Sequence, residues 1–282
     1  MVMKTDGWIE SDDGHLLFWR RHTPSVDPRA VLLVVHGLAE HSGRYLHVLD
    51  FFAEAGFDCW AFDYRGHGQS PGLRVHVGRF DEFLTDLAAA RRMVRETQPE
   101  GQFFLIGHSQ GGLIVLREAL THPKGLDGIV VSSPFLGMHP DAAPPAALHL
   151  VANIVSTFVP KMMFSKVAEP SALSRDPKVP EAYIADPLVS TTVSARWFTS
   201  VLAAQADTLA RASTLSTPAL VMQSGDDRLA DPAATRSWVD HAPADLVDYV
   251  EWDGLYHEMF NEPEKEEVFK RVEEWLQERP KG

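Results

Sequence analysis

Along the chain, short apolar runs alternate with longer amphipathic segments. The runs AVLLVV (30–35), FDCWAF (57–62), QFFLIG (102–107), LDGIVVSS (126–133), PALVMQS (218–224) and LVDYVEW (246–252) are mostly rich in Val, Ile, Leu or aromatic residues. They are continuous rather than alternating, the pattern of strands buried on both faces of a parallel sheet. Between them, residues 45–55, 80–97, 110–122, 232–241 and 263–278 read as helices. Repeated strand–helix–strand order predicts an α/β fold, with helices on both sides of a mostly parallel central sheet. Ahead of it, GWIESDDGHLLFWRRH carries two strand-like runs about Asp12-Asp13-Gly14, an antiparallel hairpin at the sheet edge.

The alternation stops once. From Pro134 to about Ala212 there is no clear strand and prolines recur, at 134, 140, 144, 145, 160, 170, 177, 180 and 187. AALHLVANIVSTF and VSARWFTSVLAAQADTLARA read as helical. A bare loop of that length is uncommon in a folded domain. Residues 134–212 are therefore expected to form a helical cap over the C-terminal edge of the sheet, with 1–133 and 213–282 forming the core.

One short stretch departs from both patterns. LIGHSQGGL (105–113) sets Ser109 among Gly107, Gly111 and Gly112, between an expected strand and an expected helix. Gly-x-Ser-x-Gly in that context is a nucleophile elbow of the α/β-hydrolase fold. The serine sits at the tip of a strained turn, and side chains at the flanking glycines would strike the neighbouring strand and helix. A serine hydroxyl needs a neighbouring base. The loop after 246–252 supplies His257, and SGDDRLADP after 218–224 supplies Asp226 and Asp227. The order Ser…Asp…His is that of this fold. For the oxyanion, the donors are expected to be the backbone N–H groups of Gln110 and of Leu38, which follows His36-Gly37.

Composition narrows the partners. The 282 residues are 45% hydrophobic and 23% charged, with 39 acidic and 26 basic residues and a net charge of −13. That balance argues against nucleic-acid binding, which needs cations against phosphate. It also gives no attraction to anionic lipid, so membrane contact would have to be apolar. The single cysteine, Cys59, excludes an internal disulfide and reads as a core residue. MVMKTDGWIESDDG lacks the apolar region of a signal peptide. The longest apolar stretch, 146–164, is broken by polar residues and is too interrupted to span a bilayer. The expected location is cytoplasmic, at most peripheral to a membrane.

HGLAEHSGRY, FDYRGHGQSPG, GHSQGG, SRDPKVPEAYIADPL, SGDDRLAD and GLYHEMFNEP together resemble the monoacylglycerol lipase and lysophospholipase-like group of serine hydrolases, from about residue 8 to residue 275. The resemblance implies Ser109 as nucleophile, His257 as base and Asp227 rather than Asp226 as acid, because the group's aspartate directly precedes Arg-Leu. It implies Leu38 and Gln110 at the oxyanion positions. Glu40 and Arg44 match its oxyanion-side loop, where the alcohol end is accommodated, and Tyr183 matches a cap tyrosine near the glycerol. The middle elbow residue, often methionine in the animal enzymes, is Gln110 here, where only the backbone N–H is expected to matter. The first half of the cap, 138–167, matches the animal enzymes poorly. The implied activity is hydrolysis of single-chain lipid esters, monoacylglycerols first, with no cofactor.

Other readings stand beside these. A general carboxylesterase, lysophospholipase or lactonase would use the same triad, and a non-catalytic ligand-binding protein could use the same fold. His36, His67 and His108 are expected to make loop hydrogen bonds rather than transfer protons. No histidine pattern points to a metal, and the G-x-G of RGHGQSPG lacks a dinucleotide-binding context. The run AALHLVANIVSTFVPKMMF either packs against the domain or lines an acyl tunnel and offers an apolar patch to micelles or membrane.

Overall fold

A computed structural model describes residues 1–143, 146–165 and 169–279. Pro144 and Pro145 of the proline-rich stretch, residues 166–168 and the side chains of residues 146–150 lie outside the described residues. The elements run β1 (Met3–Glu10), β2 (Leu16–Thr23), β3 (Val31–Val35), α1 (Leu46–Glu54), β4 (Asp58–Asp63), α2 (Asp81–Thr97), β5 (Phe103–His108), α3 (Gln110–Thr121) and β6 (Gly128–Ser132). Then follow α4 (Ala146–Phe158), β7 (Met163–Ser165), α5 (Lys178–Ala185), β8 (Thr192–Ser194) and α6 (Ala195–Ala210). The chain ends with β9 (Ala219–Ser224), α7 (Pro232–His241), β10 (Val247–Trp252) and α8 (Lys265–Gln277).

Eight strands form one sheet in the order β1-β2-β4-β3-β5-β6-β9-β10. β1 and β2 pair antiparallel, as do β2 and β4, and every later pair is parallel. The apolar runs are continuous because successive side chains enter different cores. Phe103 and Leu105 of β5 join α2, α3 and α6 on one face, while Phe104 and Ile106 join α1 and α8 on the other. β3 lies between β4 and β5, so the chain order reverses there. In an open α/β sheet a ligand binds in the crevice outside the strand ends at such a switch point.

The segment between β6 and β9 departs from the sequence reading in two ways. It contains a two-stranded antiparallel pair, β7 with β8, through Met163↔Ser194, Phe164↔Val193 and Ser165↔Thr192. Three-residue strands carry too short a pattern to register against the helical segments around them. It also contains α5, whose Pro180 falls within the first turn, where proline is tolerated. Hydrogen bonds that tie the segment to the loop after β3 or to the elbow include Ser190 N to Ala39 O (2.9 Å), His41 Nε2 with Asp186 Oδ2 (2.8 Å) and Trp197 Nε1 to Gln110 Oε1 (2.7 Å).

The turn from β5 into α3 is where packing is tightest. A Cβ at Gly107 would stand 2.4 Å from the carbonyl oxygen of Gly111, and one at Gly111 only 2.1 Å from that of Val35. Gly111→Ala is therefore expected to cost about 3 kcal/mol, because the obstacle is strand backbone and not a movable side chain. Thermal unfolding measures this, and a melting temperature equal to wild type would contradict it.

Candidate active site

Ser109 has φ 54° and ψ −117°, between the last residue of β5 and the first of α3. A positive φ at a non-glycine residue is strained, by about 1–3 kcal/mol. Here it is held by Ser109 N–H donating to Ser132 O (2.9 Å) and Ser109 O accepting from Phe135 N–H (2.9 Å). Gln110 is the first residue of α3, so its N–H has no acceptor within the helix. The loop after β3 lies against this turn, since a Cβ at Gly37 would stand 3.2 Å from Ser109 Cβ and 2.7 Å from Glu40 Oε1. Gly37, Leu38 and Ser109 all line one cavity of about 530 Å³.

His257 lines the same cavity, in the loop after β10, and is buried. Its Nδ1 is 2.8 Å from Asp227 Oδ2, which assigns the proton to Nδ1 and leaves Nε2 as the basic nitrogen. Asp227 follows β9, and its Oδ1 accepts from the N–H groups of Leu229 (2.8 Å) and Ala230 (3.0 Å). Gln223 Nε2 donates to Oδ2 at 3.3 Å. Asp226 is exposed, and its N–H bonds Leu255 O at 3.1 Å. The alternative between the two aspartates therefore resolves in geometry: Asp227 meets the histidine and Asp226 faces water.

Burial raises the Asp227 carboxyl, but the charge and hydrogen bond of His257 and the two backbone donors outweigh it and hold it below the ordinary range. For His257 burial lowers the imidazole, yet Asp227, Glu258 and Glu40 together raise it above its ordinary value. For His36, His67 and His108 the compensation falls short, and burial pushes each down to about 3. Their Nδ1 atoms bond Gly37 O (2.8 Å), Arg65 O (3.0 Å) and Ser132 Oγ (3.2 Å).

Glu40 and Arg44 lie together beside this pair, with a partner the sequence reading missed. Arg44 Nη1 is 2.7 Å from Glu40 Oε2 and 2.6 Å from Glu258 Oε1, and Nη2 is 2.8 Å from Glu258 Oε2. Glu258 directly follows His257, the only hint that its sequence position offered. Burial raises both acids, but Arg44 overcomes it for Glu258, which stays below its ordinary value, while Glu40 stays above. Glu40 Oε1 also accepts from Gly37 N and Tyr45 Oη, each at 2.6 Å. Glu40 thus anchors the loop that carries Leu38. Tyr183 is buried on α5, with the Arg44 guanidinium 5.0 Å from its ring centre.

Gln110 requires a correction. Its side chain is fully buried and bonded at both ends, Oε1 to Trp197 Nε1 and Nε2 to Tyr64 Oη (3.1 Å). The contribution is not confined to its backbone N–H. Tyr64 and Trp197 were not singled out from sequence, because their bonds to Gln110 span 46 and 87 residues.

An elbow serine and a buried imidazole held by a carboxylate, both lining one cavity, are parts that acyl transfer needs. Since His257 must be neutral to take a proton, kcat/KM is expected to fall as pH drops below its raised value. Asp227→Asn should move that limb to lower pH and cut kcat about 10⁴-fold, as in a serine protease triad. A pH–rate profile of the variant that overlays wild type would contradict this.

The family described as serine aminopeptidase S33 matches residues 26–264. A monoacylglycerol lipase of Mycolicibacterium smegmatis is 36% identical over 255 residues, 90% of each chain. Phospholipase YtpA of Bacillus subtilis is 32% identical over 86% of this chain and 93% of its own. Among solved structures, the monoacylglycerol lipase of Paleococcus ferrophilus superposes with a TM-score of 0.82 at 31% identity, covering 99% of this chain and 100% of that one. The chain belongs to the monoacylglycerol lipase-like serine hydrolases of the α/β-hydrolase fold, and is a carboxylic ester hydrolase.

Proposed function

We propose that this chain hydrolyses monoacylglycerols, releasing a fatty acid and glycerol. His257 Nε2 takes the Ser109 Oγ proton as Oγ attacks the ester carbonyl, and Asp227 holds the resulting imidazolium. The tetrahedral oxyanion accepts hydrogen bonds from the N–H groups of Leu38 and Gln110. His257 returns the proton to the departing glycerol oxygen. It then activates a water that cleaves the acyl-enzyme and frees Ser109.

The observation that carries the reading is the His257–Asp227 bond at the same apolar cavity as Ser109. Residues 134–212 serve as its cap in this proposal. Val151 and Val155 of α4, with Met162, Phe164 and Phe198, line the cavity and would surround an acyl chain. The glycerol end is assigned to the side lined by Glu40, Glu258 and Tyr183. Among the described residues the lining includes two carboxylates and no lysine or arginine. Arg44, the cation beside this end, is already held by both carboxylates, so a phosphorylated headgroup would meet no unpaired cation and the lining favours a neutral alcohol over a lysophospholipid.

A panel of monoacylglycerols, lysophospholipids and p-nitrophenyl esters tests this. Monoacylglycerols should be cleaved with the highest kcat/KM, and Ser109→Ala should fold normally and abolish turnover. Cleavage of short activated esters alone, or near-wild-type activity in Ser109→Ala, would overturn it.

The proposal extends to the outer surface of the cap. Ile154, Phe158, Val159 and Ile184 are exposed there, Phe158 to 80%. No described helix is long and apolar enough to cross a membrane. Contact with a micelle or lipid surface would bury these side chains without any help from charge. Phe158→Asp is expected to reduce co-sedimentation with neutral phosphatidylcholine vesicles and to leave hydrolysis of a water-soluble ester unchanged. Equal co-sedimentation of variant and wild type would refute the contact.

A further inference from the structure

Four polar groups stand in a row between the cap and the oxyanion loop, and their chemistry allows one proton order. Trp197, buried on α6, has an indole N–H that can only donate. The Gln110 atom 2.7 Å from it must therefore be the carbonyl oxygen. Nε2 is then the end that faces Tyr64, and it donates to Tyr64 Oη at 3.1 Å. Tyr64 keeps its own proton, since burial raises the phenol well above its ordinary value, and donates it to Gly37 O at 2.5 Å. His36, stacked on Tyr64 with ring centres 4.0 Å apart, places its Nδ1 2.8 Å from the same carbonyl oxygen.

Gly37 O belongs to the same peptide unit as Leu38 N–H. The described chain has no cis peptide bond, so this planar unit points its oxygen and its N–H in opposite directions. Fixing the oxygen with two donors fixes where the N–H aims. Each donation also polarises the next group in the row, making it a better donor.

We infer that the Gln110 side chain is a positioning residue, which through Tyr64 and Gly37 O aims and polarises Leu38 N–H and makes that donor depend on α6 of the cap. Gln110 then serves both halves of the oxyanion hole, one through its own backbone N–H and one through its side chain. The inference rests on the assignment of Ser109 as nucleophile and of Leu38 as a donor. A methionine at this position would fill similar space but break the row.

Gln110→Met and Tyr64→Phe test it, with Trp197→Phe removing the cap's donor. Each is assayed with a p-nitrophenyl ester and with a trifluoromethyl ketone, whose adduct with the serine carries an oxyanion. A glyceryl ether without a carbonyl reports ground-state binding, and thermal unfolding reports folding. Deleting an oxyanion donor outright costs about 10²–10³ in kcat, so disorienting one is expected to cost about 10-fold. Ketone affinity should fall in parallel, while KM and ether binding stay within about twofold. The double variant Gln110→Met/Tyr64→Phe should be no worse than the weaker single one, since the two act in one row. Folded variants with wild-type kcat and ketone affinity would overturn the inference. So would equal losses of ether and ketone binding, which mark a purely structural role. Retained turnover in Ser109→Ala would instead bring down the active-site reading, and this inference with it.

Discussion

The carbonyl oxygen of Val35, at the end of β3, and the α-carbon of Gly111, in the first turn of α3, approach so closely that no side chain fits between them. This contact of backbone on backbone sets the geometry of the whole site. It seats the N-terminus of α3, whose first residue Gln110 has an N–H with no helical acceptor, over the end of the central strand. It also forces the turn into which Ser109 is strained. Nearly every residue of α3 is buried, from Gln110 to Leu120. That apolar burial offsets a backbone strain of about 1–3 kcal/mol at one residue.

Electrostatics then decides where a proton can go. Four buried histidines cluster around the elbow, and burial alone would keep all of them neutral and weakly basic. Three of them bond only carbonyl or hydroxyl oxygens and are pushed down to about 3. His257 alone among the four has a carboxylate on Nδ1, with Glu258 and Glu40 adding negative charge nearby. Arg44 keeps those two acids from destabilising each other, at the cost of tying its guanidinium into the protein. Glu40, one of the charges that make His257 basic, also anchors its own loop through Gly37 N, Tyr45 Oη and Arg44.

The sheet and its flanking helices were legible because strands buried on both faces leave continuous apolar runs, and because β5 and α3 bracket an unmistakable glycine pattern. His257 and the aspartate pair were legible from their place after strands. The choice of Asp227 over Asp226 came from the family resemblance alone and not from the pattern of the residues, since adjacent residues in a loop differ only in the direction that the backbone gives them. Glu258 and Tyr64 were missed for a related reason. Their partners lie far away in sequence, 214 residues for Arg44–Glu258. The strands β7 and β8 were too short to leave a pattern. Gln110 was read as a backbone donor because nothing in GHSQGG reveals that Trp197 will stand against its amide.

α4 raises a separate physical problem, which the catalytic core does not explain. Val151 and Val155 line the cavity, while Ile154 and Phe158 of the same helix point to solvent. A helix with one apolar face against a core needs a polar face outward, and α4 has apolar residues on both. Exposing Phe158 to water forgoes about 2 kcal/mol that burial would recover. The lipid contact proposed above would cover this outer apolar face, and a net charge of −13 gives that contact no general electrostatic help. In the proposed arrangement α4 would then be the boundary between lipid and cavity. An acyl chain crossing it would move between two apolar surroundings without exposing its length to water.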